Sequence, residues 1–259
     1  MPGTVYLVGA GPGAPDLLTL RAARLLAAAD IVFHDALVHP DTLALAARAG
    51  KIAVGKRCGR HSTAQAFINK RLVDAARKHA VVVRLKGGDP MLFGRAQEEI
   101  DALRAAGIAF EVVPGVTAAL AAAADLGASL TRRGVSRNVA FATPRVGDGQ
   151  AASDWVAAIA AADTGAIYMG AGEGAAIAAA LLARGKPADL PVVAVENASL
   201  PGSRRWATTL GDLPRLADEA FAGPVILLLG EALAAAAASP LPRTRSREAP
   251  EAPLLRAAV

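Results

Sequence analysis

The sequence predicts an α/β fold in two lobes, and three observations lead there. Its 259 residues lie between one large domain and two small ones, since a single core stops growing near about 250 residues. Short β-branched runs alternate with longer stretches of helical period from the start to about residue 113, and the alternation then begins again. Between the two cycles stands Pro114-Gly115, a pair that interrupts both helix and strand. Domains are accordingly expected over 1–114 and 115–238. A tail over 239–259, rich in Pro and Arg and without periodicity, is expected to be disordered.

In the first lobe, strands are expected at 4–9, 31–34, 51–55, 81–86 and 110–113, with helices at 17–29, 63–78 and 96–106. The strand candidates are apolar runs with little alternation. That pattern belongs to strands covered on both faces, so this lobe is expected to be a mostly parallel α/β layer. Asp16 is the expected N-cap of the first helix, and Ser62 with Gln65 three residues on is a capping-box signal for the second. A helix from 117 to about 126 opens the second lobe. Its strands are expected at 138–142, 166–169, 192–196, 205–209 and 225–229, and its further helices at 154–162, 174–184 and 212–222.

Composition narrows the function classes. Apolar residues make up 53% but aromatics only 4%, so the core is built from Val, Leu, Ile and Ala, and wholesale disorder is excluded. The run at 225–229 is broken by Gly230 and Glu231, far short of the roughly 18 residues of a membrane span, so no membrane partner is expected. The N-terminal residues show no basic region ahead of an apolar stretch, which makes the cytoplasm the expected location. The one cysteine, Cys58, forms neither an internal disulfide nor a cysteine metal site. The net charge is +5, with a surplus of two positive charges in the tail, where Arg243, Arg245, Arg247 and Arg256 face Glu248 and Glu251. The remaining charge is too small for a nucleic-acid partner, and no basic run with interleaved aromatics occurs. An acidic small molecule fits the balance.

Two glycine segments stand at strand ends. Gly9-Ala10-Gly11-Pro12-Gly13-Ala14 meets the loose dinucleotide fingerprint, yet Pro12 and Pro15 remove N–H donors where a pyrophosphate cradle needs them. Phosphate binding, a tight turn and the wall of a non-phosphate cofactor pocket all remain open for this segment, which is expected to be a free-standing loop. The second segment, Gly87-Gly88-Asp89, follows the strand at 81–86, where open α/β sheets bind ligands; a plain strand-to-helix turn explains it equally well.

The first segment continued through Asp16-Leu-Leu-Thr19-Leu20, and Arg84-Leu-Lys-Gly-Gly-Asp-Pro-x-x-Phe-Gly-Arg95, resemble the two signatures of the uroporphyrinogen-III C-methyltransferases, tetrapyrrole methyltransferases that use S-adenosylmethionine. The resemblance continues in order through His34-Asp35-Ala-Leu-Val38, Val54-Gly-Lys-Arg57, Gly59-x-His61-Ser62, Val113-Pro-Gly-Val-Thr-Ala118, Tyr168-Met-Gly170 and Val195-Glu-Asn197, covering about residues 4 to 231. It implies a two-lobed homodimer with the active site in the cleft between lobes. It also implies S-adenosyl-L-methionine as cofactor, S-adenosyl-L-homocysteine as product, and an acidic tetrapyrrole as substrate. The cofactor shell it implies is Pro12, Gly87, Gly88, Asp89, Leu92, Thr117, Ala118, Met169 and Ala198. Asp89 would accept from the amino acid or ribose, and the main chain around Met169 and Ala198 would meet the adenine; read alone, Met169 is a core residue.

Asp35 and Lys56 match the family's proton acceptor and proton donor. Read alone, Asp35 is a turn or cap residue and Lys56 a solvated charge. Arg57, Arg60, His61, Arg84 and Arg95 gather positive charge suited to a substrate with eight carboxylates, although an arginine-rich chain also scatters such charges over its surface. His34, His39, His61 and His79 form no pair at ligand spacing backed by carboxylates, so no metal is expected. The chain departs from the family pattern at Leu130-Thr131-Arg132-Arg133-Gly134, at Thr143-Pro144-Arg145, at Ala198 in place of glycine, and in the Ala/Leu stretch after Thr117. The expected reaction is C-methylation of uroporphyrinogen III at C2 and C7 to precorrin-2, serving siroheme or cobalamin synthesis. A related precorrin methyltransferase, or a cofactor-binding paralogue with little catalysis, is the alternative.

Overall fold

The computed structural model describes residues 2–54, 65–147, 151 and 153–238. The capping-box Ser62, and the expected tail 239–259, lie outside them. Contacts divide the chain into two units, the first running to Thr117 and the second from Ala118 on.

The first unit contains β1 (Thr4–Gly9), α1 (Leu20–Ala28), β2 (Ile31–His34), α2 (Pro40–Ala44), β3 (Gly50–Ala53), α3 (Gln65–Ala76), β4 (Val81–Lys86), α4 (Ala96–Ala105) and β5 (Phe110–Val113). Its sheet has the order β3-β2-β4-β1-β5, and every pairing is parallel. The pleat sends Val5, Leu7 and Val82 to one face, against Ile68 and Leu72 of α3 and Ile100 and Leu103 of α4. Val8, Val32, Val83 and Leu85 face the other way, against Ala22 and Leu26 of α1. Both faces are thus dry, as unbroken apolar runs require.

Two details differ from expectation. Asp16 does not cap α1. Pro15–Leu17 forms a separate 3₁₀ turn, Leu18 is extended, and Thr19 caps the helix by accepting from Ala22 N–H at 3.2 Å. The short α2 was not foreseen, although Pro40 at its first position and Asp41 in its first turn are start signals.

The second unit contains α5 (Ala118–Leu126), β6 (Val139–Ala142), α6 (Trp155–Ala161), β7 (Thr164–Tyr168), α7 (Gly174–Ala183), β8 (Pro191–Glu196), β9 (Arg204–Thr209), β10 (Val225–Leu229) and α8 (Ala234–Ala238). The order is β6-β7-β10-β8-β9, with β6 and β7 parallel and the other neighbours antiparallel. The helix expected over 212–222 is replaced by a 3₁₀ helix, Leu213–Asp218. The N–H groups of Ala222 and Gly223, which a continued helix would use, donate instead to Glu196 at 2.6 Å each. Among the described residues no helix is long and apolar enough to cross a membrane.

Candidate active site

In the first unit the carboxyl ends of β1, β4 and β5 are bonded to one another. Ala10 N–H donates to Lys86 O at 2.7 Å. Gly11 and Gly88 then exchange two bonds, Gly11 N–H to Gly88 O at 3.2 Å and Gly88 N–H to Gly11 O at 2.7 Å. The loop at 9–14, expected from its prolines to be free-standing, is instead tied to the 87–89 loop by this antiparallel bridge beyond the parallel β1–β4 ladder. Gly88 has φ of 67°, the left-handed region that glycine enters at no steric cost. Asp89 ties in the third loop: one oxygen accepts from Met91 N–H at 2.8 Å, the other from Gly115 N–H at 2.9 Å. The approach is so close that a Cβ on Gly115 would lie 2.3 Å from Gly88 O. Pro12, Gly87, Gly88, Asp89 and Leu92 are half-buried along these loops, and Thr117 is buried. Asp89, expected to accept from a ligand, already holds two backbone donors, and each oxygen retains a lone pair.

Asp35 follows β2. It accepts from Leu37 N–H at 3.1 Å, the turn role its residue type suggests, and from Gly87 N–H at 3.2 Å. The second bond fastens Asp35 to the glycine pair, which spacing in the sequence does not disclose. Lys56, with Arg57, Arg60 and His61, lies outside the described residues. Arg84 is a correction. It is buried, with Nε 3.0 Å from Glu99 Oε1 and Nη1 donating to Leu85 O at 3.1 Å, so it does not face a substrate. Strand β4 is buried on both faces, and a cation there needs an internal partner. Arg95 is exposed and pairs with Glu98 at 2.7 and 2.8 Å.

In the second unit β6, β7 and β8 point the same way, so their carboxyl ends share one edge of the sheet. Met169 follows β7 there with φ of 58° and 44% exposure. It is not the core residue that composition alone suggests. Asn197 follows β8 with φ of 52°, and Ala198 after it is buried, its methyl group covered by protein. Helix α5 braces both turns. Tyr168 Oη accepts from Ala119 N–H at 3.2 Å, beside Ala118, and Asp125 Oδ2 accepts from Ser199 N–H at 2.6 Å. These ties hold the turn that carries Met169 to the start of α5, beside Ala118, and the turn that carries Ala198 to its last turn. The departures at 131–134 fall on an exposed turn closed by Arg132 and Ser136.

Sequence reasoning missed Glu99 and Glu196. Glu99 occupies the apolar stripe of α4 among Ala96, Ile100 and Leu103, and an acid on a buried stripe calls for a buried cation. The assigned shell contains no cationic side chain, and Pro12 and Pro15 supply no N–H. A glycine-lined shell of that kind fits a ligand without phosphate.

A family model, Tetrapyrrole (Corrin/Porphyrin) Methylases, matches residues 4–214. The chain belongs to the tetrapyrrole methylases. This tetrapyrrole methylase is 46% identical over 231 residues to a siroheme synthase of Chromobacterium violaceum, covering 88% of this chain and 49% of that protein. A siroheme synthase of Pseudomonas fluorescens is 45% identical over 231 residues, covering 88% and 50%. The chain thus spans about half the length of the curated relatives it matches. Its fold matches that of a Thermus thermophilus uroporphyrin-III C-methyl transferase solved with S-adenyl homocysteine, at 42% identity and TM-score 0.79 over 90% of this chain and 100% of that one. A cobalt precorrin-4 methyltransferase of cobalamin biosynthesis follows at 29% identity and TM-score 0.77, over 89% and 95%. Both carry the same α/β fold as this methylase.

Proposed function

We propose that this methylase transfers methyl groups from S-adenosylmethionine to carbons C2 and C7 of uroporphyrinogen III, giving precorrin-2. The observation that carries the reading is the bonded pair of glycine loops, Gly11 to Gly88, with Asp35 fastened to Gly87. In this reading Pro12, Gly87, Gly88, Asp89, Leu92, Thr117, Ala118, Met169 and Ala198 hold the cofactor. When bound, it supplies a methyl group made electrophilic by the sulfonium. A nucleophilic carbon of the macrocycle forms the new carbon–carbon bond, and the electron pair of the broken carbon–sulfur bond stays on sulfur. The macrocycle must then release a proton. Asp35, whose oxygens each accept one backbone bond and keep a further lone pair, takes it. Lys56 matches the family's proton donor by its motif; it supplies a proton only where the double-bond shift adds one at a second macrocycle atom, and each proton so added is matched by one more released. The displacement depends on alignment more than on acid or base, so the rigid loops contribute through orientation.

The same reading places the enzyme in the cytoplasm as a homodimer, with the acidic tetrapyrrole as its small-molecule partner. The 42% identity to the Thermus enzyme against 29% to the precorrin-4 enzyme favours uroporphyrinogen over a later corrin. Calorimetry tests the cofactor assignment. S-adenosylmethionine and S-adenosylhomocysteine are expected to bind at micromolar level, about −8 kcal/mol, and NAD not to bind. Tight NAD binding with none of the sulfonium compound overturns it.

A further inference from the structure

Three charged side chains lie buried at the base of the 87–95 segment. Glu99, in the first turn of α4, is fully buried, and the side chains of Arg84 and Lys86 are 6% and 4% exposed. Glu99 Oε1 accepts from Arg84 Nε at 3.0 Å, and both of its oxygens lie 3.0 Å from Lys86 Nζ. Gln65 Nε2 adds a donor at 3.2 Å. Two cations around one carboxylate leave a surplus of charge in a medium of low dielectric. Such clusters are weak contributors to stability, and apolar groups of similar volume often serve as well. Burial, and then Arg84, push the Lys86 ammonium below the ordinary lysine range, while Glu99 pulls it back. The Asp35 carboxylate adds a smaller pull in the same direction as Glu99.

The geometry gives the cluster another use. Arg84 and Lys86 end β4, Glu99 begins α4, and the chain between them carries Gly87, Gly88, Asp89 and Leu92. That segment is strained, with Phe93 and Arg95 at φ of 53° and 56°. Left-handed conformations are costly for non-glycine residues and persist only where the surroundings fix them. The lysine stem also lies under the loop: a Cβ on Gly94 would come 3.1 Å from Lys86 Cε. We infer that Glu99 is a positioning residue, which through Arg84 and Lys86 clamps the end of β4 to the first turn of α4 and so holds the 87–95 segment in the shape that receives the cofactor. The inference rests on the cofactor reading proposed above.

Glu99→Gln leaves two buried cations without a counter-charge, which threatens the fold itself, so Lys86→Met is the decisive variant. It leaves a neutral Arg84–Glu99 pair and conserves volume. S-adenosylhomocysteine affinity is read by calorimetry, and order in the segment by hydrogen exchange of residues 87–95, with β1 and β5 as internal reference. Lys86→Met is expected to keep its melting temperature, weaken S-adenosylhomocysteine about tenfold or more and speed exchange in 87–95 by a similar factor, with β1 and β5 unchanged. KM for S-adenosylmethionine should rise while kcat stays within about threefold. Wild-type affinity together with wild-type exchange overturns the clamp. So does global unfolding of Lys86→Met, because the cluster would then hold the fold and not the segment. If the wild-type protein itself binds no S-adenosylhomocysteine, the cofactor reading falls, and the exchange comparison alone decides the clamp: faster exchange supports it and unchanged exchange overturns it.

Discussion

Asp35 holds two backbone donors, from Leu37 and from Gly87. Its residue type announces the first, since aspartate commonly bonds an N–H two residues on. The second joins positions 52 apart in sequence, and only the pairing of β2 with β4 brings them together. Asparagine keeps an acceptor oxygen for Gly87 but cannot take a proton at neutral pH. Asp35→Asn is therefore expected to lower turnover by ~10²-fold or more while cofactor affinity stays nearly constant. Steady-state rates beside calorimetry check this, and full turnover would make Asp35 purely structural. At Ala198, where the family pattern has glycine, the methyl group is buried at 5% exposure. Ala198→Gly should cost up to ~1 kcal/mol of stability through added chain entropy and leave cofactor affinity within about tenfold. A larger gain in affinity would mean that the methyl crowds the ligand.

Among the elements, those read best were the strands, because a β-branched apolar run bounded by turn residues has few other solutions. The elements read worst were those whose backbone is claimed by a distant side chain. The helix expected over 212–222 gives way where Ala222 and Gly223 donate to Glu196, and nothing near 222 announces an acceptor at 196. Burial alone would raise the Glu196 pKa. The N–H of Gly223, the Arg204 guanidinium and the N–H of Ala222 outweigh it and hold the carboxyl below its ordinary 4.5. A carboxylate depressed on folding contributes stability that is complete above the unfolded value and is lost as pH falls through the folded one. Glu196→Gln, which turns an amide toward Arg204, should cost about 2 kcal/mol at neutral pH. The difference from wild type should shrink as pH falls below 4.5. Denaturant midpoints across that range check it, and a gap that stays constant into acid would show that ionisation of Glu196 contributes nothing.

For the molecule as a whole, the α/β class and the parallel sheet of the first unit were legible because residues on both faces of that sheet are apolar. The same signal hid strand direction in the second unit. Val225–Leu229 is as continuous a run as any in the first, yet β10 runs antiparallel to both neighbours, since a strand dry on both faces looks alike in either direction. The candidate site was legible as residue types at strand ends. The bonds that assemble it were not, because each crosses between elements. Isotope counting follows the methyl groups themselves. Incubated with uroporphyrinogen III and methyl-labelled S-adenosylmethionine, the protein is expected to place two labelled methyl groups on carbon of each macrocycle and to release one S-adenosylhomocysteine for each. A protein that binds S-adenosylhomocysteine but leaves the macrocycle unlabelled contradicts the account.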